Sequence, residues 1–408
     1  MPAPATFVIA GGGLAAAKAA EALRAEGFDG AIVLVGREPH LPYERPPLSK
    51  GYLQGADERQ KIFVHDADWY RDQAVDLRTG VTVTGVDPAA HQVTLSGGER
   101  LQYDKLLLAP GATPRRLTVP GHDRDNVLYL RTVDDCDRLR ATLSATTRIA
   151  VVGAGWIGLE TAAAARAAGV EVTVVEQERQ PLLGALGDEI GAVFADLHRE
   201  HGVDLRLGAR LAEITEAGVR LADGTHIDAD AVVAGIGAVP DTELAAAAGL
   251  TIDNGVKTTA DLRTSDPDIF AAGDVANAYH PLVGGHLRVE HWANALNQPA
   301  VAARAMLGRQ AAYDELPYFY TDQYDLGMEY LGHVPPGLAH DVVVRGDLAK
   351  REFLAFWLRD DTVIAAMTVN IWDQGDQLKA LILAASPVDR AALADPAVAL
   401  DQLVRSGG

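Results

Sequence analysis

The chain has 408 residues, 48% of them hydrophobic, which is enough for two or three domains with sizeable cores. A formal charge of −20 sets up a field that repels nucleic acid and anionic membranes, and no run of about 18 apolar residues is present to span a bilayer. The single cysteine, Cys136, excludes an internal disulfide and any paired-thiol redox centre. Met-Pro-Ala-Pro-Ala-Thr leads into a strand without a basic region, so no export signal is read and a soluble, cytoplasmic protein is expected.

The first apolar strand, 6–10, meets Gly11-Gly12-Gly13-Leu14-Ala15-Ala16. An Ala-rich helix then runs to about residue 26, Gly27 stops it, and a strand returns over 31–35. This is a βαβ unit in which Ala16 takes the third glycine position, small enough to keep helix and strand close. The second strand ends in Gly36-Arg37-Glu38, and Glu38 is expected at a ribose, although Arg37 stands where an acid would also fit. In Pro42-Tyr43-Glu44-Arg45-Pro46-Pro47-Leu48-Ser49-Lys50 the prolines forbid a regular helix, so Arg45 and Lys50 lie on a loop or at a helix start. Two cations fixed by stiff prolines so soon after a phosphate-binding turn point to cofactor contact rather than to a solvated loop.

Short alternating segments fill 75–108, with a hairpin at Gly97-Gly98. Ala109-Pro110-Gly111-Ala112-Thr113-Pro114 reads as a crossover between domains, and a strand over 127–132 precedes a polar helix that carries Cys136. Residues 149–177 then hold a complete second βαβ unit: an apolar strand, Gly153-Ala154-Gly155-Trp156-Ile157-Gly158, a helix to about 168, and a β-branched strand ending on Glu176. Gly153 permits the tight turn, Gly155 the approach of a pyrophosphate, and Gly158 the close packing of helix on strand. The helix N-terminus supplies unpaired N–H groups, and the acid takes the ribose hydroxyls. Two such folds imply two dinucleotides rather than one site and a relic.

After Glu176 come a helix over 188–201, hairpins at Glu216-Ala217-Gly218 and Asp223-Gly224, and a strand softened by Gly235-Ile236-Gly237. A buried strand over 269–272 delivers Gly273 and Asp274, whose carboxylate can reach a cofactor hydroxyl; a helix with Gln298 follows from about 293. The last third is different. Strands around 342–344, 352–358 and 363–369 make a small antiparallel sheet closed by a helix from about 377, and the aromatics of Pro317-Tyr318-Phe319-Tyr320-Thr321-Asp322-Gln323-Tyr324 are read as core rather than as a cofactor platform.

Arg45-Pro46-Pro47-Leu48-Ser49-Lys50, Tyr129-Leu130-Arg131-Thr132, Gly155 to Glu160 and Asp322-Gln323-Tyr324-Asp325 together give the chain a resemblance to a known family. It resembles the NADH-dependent, FAD-containing ferredoxin reductases of the putidaredoxin-reductase and biphenyl-dioxygenase-reductase type, from Val8 to about Leu383. The resemblance implies an α/β fold of two Rossmann-like dinucleotide-binding domains on the glutathione-reductase-like flavoprotein plan, with a C-terminal α+β domain. FAD would occupy 1–112 and 245–317, NADH 113–244, and the small sheet 318–408. It also implies electron transfer from NADH through FAD to a 2Fe-2S ferredoxin, docked transiently by charge, that serves a monooxygenase or dioxygenase. No metal site, nucleic-acid partner or membrane partner is expected.

By the same resemblance Gly11, Gly13, Leu14 and Ala15 would cradle the FAD pyrophosphate, with Arg37, Glu38 and Arg45 beside them and Val83 at the adenine. Arg131, Asp274 and the backbone at Trp292 would hold the ribityl chain and ring, and Ala109, Gly111, Gly273, His291 and Tyr320 are further cofactor-binding candidates. Lys50 would stabilise negative charge on the reduced flavin and pair with Glu160. Gly153, Gly155, Trp156, Ile157, Gly158 and Glu176 would bind NADH, with Gly235, Ile236 and Gly237 along the nicotinamide. The chain departs from the family at Arg37, at Pro110, and at Tyr318 and Tyr320, where relatives carry tryptophans. Arg304, Arg309, Lys350 and Arg351 are candidate cations for an acidic ferredoxin. Rubredoxin and monodehydroascorbate reductases share the scaffold and differ in acceptor, a redox-sensing flavoprotein like apoptosis-inducing factor is a further alternative, and a disulfide reductase would need a cysteine near the flavin.

Overall fold

Phe7-Val8-Ile9-Ala10 and Ile32-Val33-Leu34-Val35 are apolar at every position, so each strand needs cover on both faces, as strands of a parallel sheet do. The computed structural model describes residues 5–335 and 337–405 and supplies that cover. The chain divides into two compact units, one of Met1–Pro46, Asp57–Thr113 and Ala238–Glu315, the other of Pro47–Ala56, Pro114–Gly237 and Leu316–Gly408.

In the first unit five parallel strands run in the order Ile269–Ala271, Lys105–Leu108, Thr6–Ala10, Ala31–Gly36, Val75–Thr79. Alternation sorts their side chains between two cores. Phe7, Ile9, Ile32 and Leu34 pack with the helices Leu14–Ala25 and Trp292–Met306, while Val8, Ala10, Val33 and Val35 pack with Val93 and Leu95. Those two valine and leucine positions belong to an antiparallel meander of Val83–Asp87, Gln92–Leu95 and Arg100–Gln102. Ala15, Ala16, Ala17, Ala19 and Ala20 are all buried, so the first helix meets its neighbours through methyl groups and lies close to them.

The second unit repeats this plan. Its parallel strands run Asp204–Arg206, Glu171–Val175, Arg148–Val152, Ala231–Ala234, Val127–Tyr129, and the meander Leu211–Thr215, Gly218–Leu221, His226–Asp228 shares a core with Ala150, Val152 and Val175. The helix Trp156–Ala167 packs on the strands before and after it. The helix Leu183–Glu200 breaks at Gly187 (φ 79°), so its regular part starts at Asp188, where the sequence put it. In both units the first strand of the βαβ element has neighbours that lead away on either side, and ligands of such sheets bind at the carboxyl end of that strand.

Two expectations change. The strand expected over 127–132 stops at Tyr129 because Thr132 turns to cap the helix Val133–Ala145, its hydroxyl accepting from Asp135 N–H in a reciprocal capping box. The C-terminal sheet has five strands, not three, in the order Tyr318–Gln323, Leu326–Gly332, Thr362–Val369, Glu352–Arg359, Asp341–Asp347, all antiparallel. The aromatic stretch is its edge strand. There Tyr318 packs against the core of the sheet and Phe319 stacks on buried Tyr330, while Thr321 and Gln323, on the same face as Phe319, are buried polar groups that the aromatic reading did not anticipate. Leu378, Leu381, Leu393, Leu400 and Leu403 from three short helices complete the core of this sheet. Among the described residues no helix is long and apolar enough to cross a membrane.

Candidate dinucleotide sites

A phosphate-binding turn needs glycine where backbone meets backbone, and open space where the phosphate is to lie. Gly11 (φ +152°) meets the first need, since a Cβ there would fall 2.1 Å from Ala109 O, and at Gly12 it would fall 2.9 Å from Gly36 Cα. Gly13 meets the second. It caps the helix Leu14–Ala25, and no atom lies within 4 Å of where its Cβ would be. Ala16, fully buried, occupies the third position.

The second unit has the same construction. A Cβ on Gly153 (φ +98°) would fall 2.5 Å from Gly235 O, and one on Gly158 would fall 2.1 Å from Gly153 O. At Gly155, which caps the helix Trp156–Ala167, the nearest atom is Gly235 O at 3.9 Å. Each unit thus presents one open glycine at the N-terminus of a 12-residue helix, where N–H groups and the helix dipole favour an anion. The residues fit two dinucleotide pyrophosphates.

The acids stand where the strands end. Glu176 follows Glu171–Val175, and its carboxylate accepts from Ala154 N–H at 2.6 Å and from Glu178 N–H at 2.9 Å, which fixes it against the glycine turn. In the first unit Glu38 accepts from Arg45 at 3.0 Å and from the Tyr43 hydroxyl, while Arg37 turns away to Asp241 at 3.3 Å. Arg45 lies 5.3 Å over the Tyr43 ring, and Asp274 adds negative charge around it. The prolines of this segment therefore hold Arg45 against acids of its own unit. Gly273 (φ +79°) donates its N–H to Gln298 Oε1 at 2.8 Å and starts the turn that carries Asp274. Trp292 opens its helix after His291 and donates from its indole N–H to Glu44 at 3.1 Å. Val83 starts a meander strand, Ala109 N–H donates to Ala10 O at 2.8 Å, and Gly111 takes φ +80°.

In the second unit Lys50, at the start of a short helix, places Nζ 2.6 Å from Glu160 Oε1, with side chains 17% and 3% exposed. The Ser49 hydroxyl donates to the other carboxylate oxygen at 2.5 Å and the Thr321 hydroxyl to Oε1 at 2.6 Å. Lys50 Nζ also lies 5.3 Å from the centre of the Tyr320 ring. Trp156 meets Phe194 and Phe319 edge to face at 5.8 and 5.0 Å, and its neighbour Ile157 is 45% exposed. Gly237 takes φ +92° beside Arg115, and Arg131 N–H points to Asp135 at 3.2 Å. Cys136 is buried, and burial pushes its thiol up to about 12, far from the thiolate that a disulfide reductase needs.

Sequence reasoning missed Ser49 and Thr321 as partners of Glu160. For Thr321 the signal was its spacing of two from Gln323 on a strand among aromatics, which puts two polar side chains on one face. It also missed Tyr43 and Asp241, the partners of Glu38 and Arg37.

The sequence profile of the pyridine nucleotide-disulphide oxidoreductase family matches residues 5–299, and the reductase C-terminal family matches 318–404. The ferredoxin–NAD(+) reductase component of the anthranilate 1,2-dioxygenase system of Burkholderia cepacia is 44% identical over 97% of this chain and 98% of its own. Putidaredoxin reductase of Pseudomonas putida is 38% identical over 97% and 96%. Among solved structures, the covalent putidaredoxin reductase–putidaredoxin complex matches with a TM-score of 0.94, at 37% identity over 99% of each chain.

Proposed function

The chain belongs to the pyridine nucleotide-disulphide oxidoreductase family, in its ferredoxin–NAD(+) reductase branch, and we propose on that footing that it carries electrons from NADH to a 2Fe-2S ferredoxin serving an oxygenase. FAD and NADH are its cofactors. The observation that carries the reading is the pair of open glycines, Gly13 and Gly155, each at a helix N-terminus in its own Rossmann-like fold. Bound FAD supplies the chemistry that converts a hydride from the nicotinamide into electrons released one at a time.

The protein's part is binding, orientation and electrostatics. We assign FAD to 1–112 and 245–317, with Gly11, Gly13, Leu14 and Ala15 at its pyrophosphate, Glu38 at its ribose, Val83 at its adenine, Arg37 and Arg45 as further cofactor contacts, and Ala109, Gly111, Arg131, Gly273, Asp274, His291, Trp292 and Tyr320 along the rest. NADH falls to 113–244, with Gly153, Gly155, Trp156, Ile157 and Gly158 at its phosphates, Glu176 at its ribose, and Gly235, Ile236 and Gly237 at its nicotinamide. Lys50 is the cation set against charge developing on the flavin, and Glu160 holds that ammonium in place. The C-terminal domain, 318–408, contributes Tyr320 and Thr321. The cytoplasm, where NADH is supplied, is the compartment we assign.

A protein of this kind purifies yellow and releases its FAD on denaturation, because no tether is assigned. A colourless protein that refuses FAD on reconstitution would overturn the reading. Gly158→Ala tests the second site separately. Its Cβ would press on Gly153 O, so the turn must open at a cost of about 1–3 kcal/mol. NADH affinity should fall at least about 10-fold while FAD content stays native, a difference read by fluorescence titration of each cofactor.

Three carboxylates stand against the four candidate docking cations. Arg304 and Arg309 both meet Glu26, Lys350 meets Asp347 at 3.1 Å, and Arg351 meets Glu200. Exposed pairs of this kind carry little net field, about 0–1 kcal/mol each. Lys350→Ala should therefore change KM for a ferredoxin less than about twofold in steady-state assays; a larger rise would return Lys350 to the docking surface.

A further inference from the structure

Glu160 is one end of a longer hydrogen-bonded series. Thr321 Oγ1 lies 2.6 Å from Glu160 Oε1, Gln323 Nε2 lies 3.1 Å from Thr321 Oγ1, and His198 Nε2 lies 2.9 Å from Gln323 Oε1. Beyond the imidazole, the Tyr324 hydroxyl is 3.4 Å from Nδ1, and the Tyr324 ring stacks on His201 at 3.7 Å. His198 is fully buried on the helix Leu183–Glu200, in the company of Ile190, Phe194 and Leu197. A polar group so placed costs free energy unless its hydrogen bonds are made, so the series has to be satisfied as a whole.

Only one arrangement of protons does this. Ionised Glu160 can only accept, so the Thr321 hydroxyl must donate to it. The Thr321 oxygen then takes an N–H of Gln323, and the Gln323 amide oxygen in turn needs a donor, which is His198 Nε2–H. Nδ1 is left as the acceptor facing Tyr324. With the Gln323 amide turned over, Thr321 would spend its one proton on the amide oxygen and show Glu160 a lone pair. Burial pushes His198 down to about 4, with His201 adding to the fall, so the ring is the neutral donor the series requires.

We infer that His198 is a positioning residue for the Lys50–Glu160 pair, acting through Gln323 and Thr321. The inference rests on the assignment of that pair to the flavin. His198 keeps the Gln323 amide from turning over, Gln323 keeps the Thr321 proton on Glu160, and the carboxylate that carries Lys50 is thereby fixed. The residues come from two helices and the edge strand Tyr318–Gln323, which gives the buried polar face of that strand a task.

The test uses the FAD-loaded enzyme. His198→Phe keeps a ring and removes the donor, His198→Gln keeps an N–H close to the Nε2 position, and Thr321→Val breaks the middle of the series at nearly constant shape. His198→Phe and Thr321→Val should each slow flavin reduction by NADH about 10-fold with KM for NADH unchanged, and His198→Gln should recover to within about threefold of native. A readout independent of turnover is the imidazole 15N spectrum. It should show His198 neutral with its proton on Nε2, and Thr321→Val should shift that signal although it does not touch the ring. An unmoved signal, or a proton on Nδ1, overturns the inference. Glu160→Gln separates the two levels. If it slows reduction while Thr321→Val and His198→Phe do not, the series is not coupled to the pair and only this inference fails. If Glu160→Gln leaves reduction at the native rate, the assignment of the pair fails and takes the inference with it. Should His198→Phe not fold, Thr321→Val carries both measurements.

Discussion

Lys50→Met should slow the reduction of bound FAD by NADH by about 10- to 150-fold, the factor that corresponds to losing roughly 1.5–3 kcal/mol from a hydrogen bond to a charged group. Lys50 Nζ stands 2.6 Å from Glu160 Oε1, and the carboxylate is almost wholly buried. Methionine fills much of the same space and carries no charge. The substitution also leaves Glu160 ionised with only Ser49 and Thr321 as donors, and breaking a buried pair in this way costs about 3–5 kcal/mol of stability. The two effects separate in the double variant. Lys50→Met with Glu160→Gln should regain most of the stability, because no charge is stranded, and should stay slow, because no cation is restored. Stopped-flow reduction by NADH reads the first quantity and thermal unfolding the second. A Lys50→Met enzyme reduced within twofold of the native rate would remove Lys50 from the mechanism.

Glu176→Arg should lower kcat/KM for NADH by about 10- to 150-fold and raise that for NADPH. The carboxylate sits at the end of the second strand of its βαβ unit, held by Ala154 N–H and Glu178 N–H. There it can accept from both ribose hydroxyls and repel a 2′-phosphate. Loss of charge-assisted hydrogen bonds of roughly 1.5–3 kcal/mol accounts for the fall with NADH. An arginine inverts the sign toward the phosphate, but full reversal is not expected because Glu178 remains close by. The same substitution frees the N–H groups of Ala154 and Glu178, so part of the NADH loss comes from a looser turn. Glu176→Gln, which retains an acceptor for the turn without the charge, measures the charge contribution, and what Glu176→Arg loses beyond it is the part from the turn. Steady-state assays of both nucleotides with ferricyanide decide the matter, and an unchanged NADH to NADPH ratio in Glu176→Arg would show that Glu176 does not face the ribose.

What was legible in the sequence is what local chemistry determines. Gly11 and Gly153 announce themselves because a tight turn against a neighbouring backbone admits no other residue, and Glu176 lies a fixed distance on along a periodic strand–helix–strand pattern. The helix start at Asp188 was legible too, and Gly187 (φ 79°) just before it is the break that the structure shows. The Lys50–Glu160 pair, 110 residues apart, came only from the family resemblance; Ser49 left no periodic trace, and the two-residue spacing of Thr321 and Gln323 marks a polar strand face without naming a partner 161 residues away. Two strands of the C-terminal sheet were not anticipated because Leu326–Gly332 contains two glycines and no strict alternation, and because an aromatic run such as Tyr318-Phe319-Tyr320 marks packing without marking a strand. Arg37 was read as standing where an acid would fit; it is matched to Asp241 more than 200 residues on, which only the fold brings near.

The path from NADH through FAD to a 2Fe-2S ferredoxin is tested most directly by an anaerobic titration. NADH added to the purified protein should bleach the yellow flavin absorption, and oxidised ferredoxin should then restore it, with two ferredoxins reduced for each NADH because a hydride carries two electrons and the iron–sulfur centre accepts one. A flavin that NADH cannot bleach, or one that NADH bleaches and oxidised ferredoxin leaves bleached, would contradict the account.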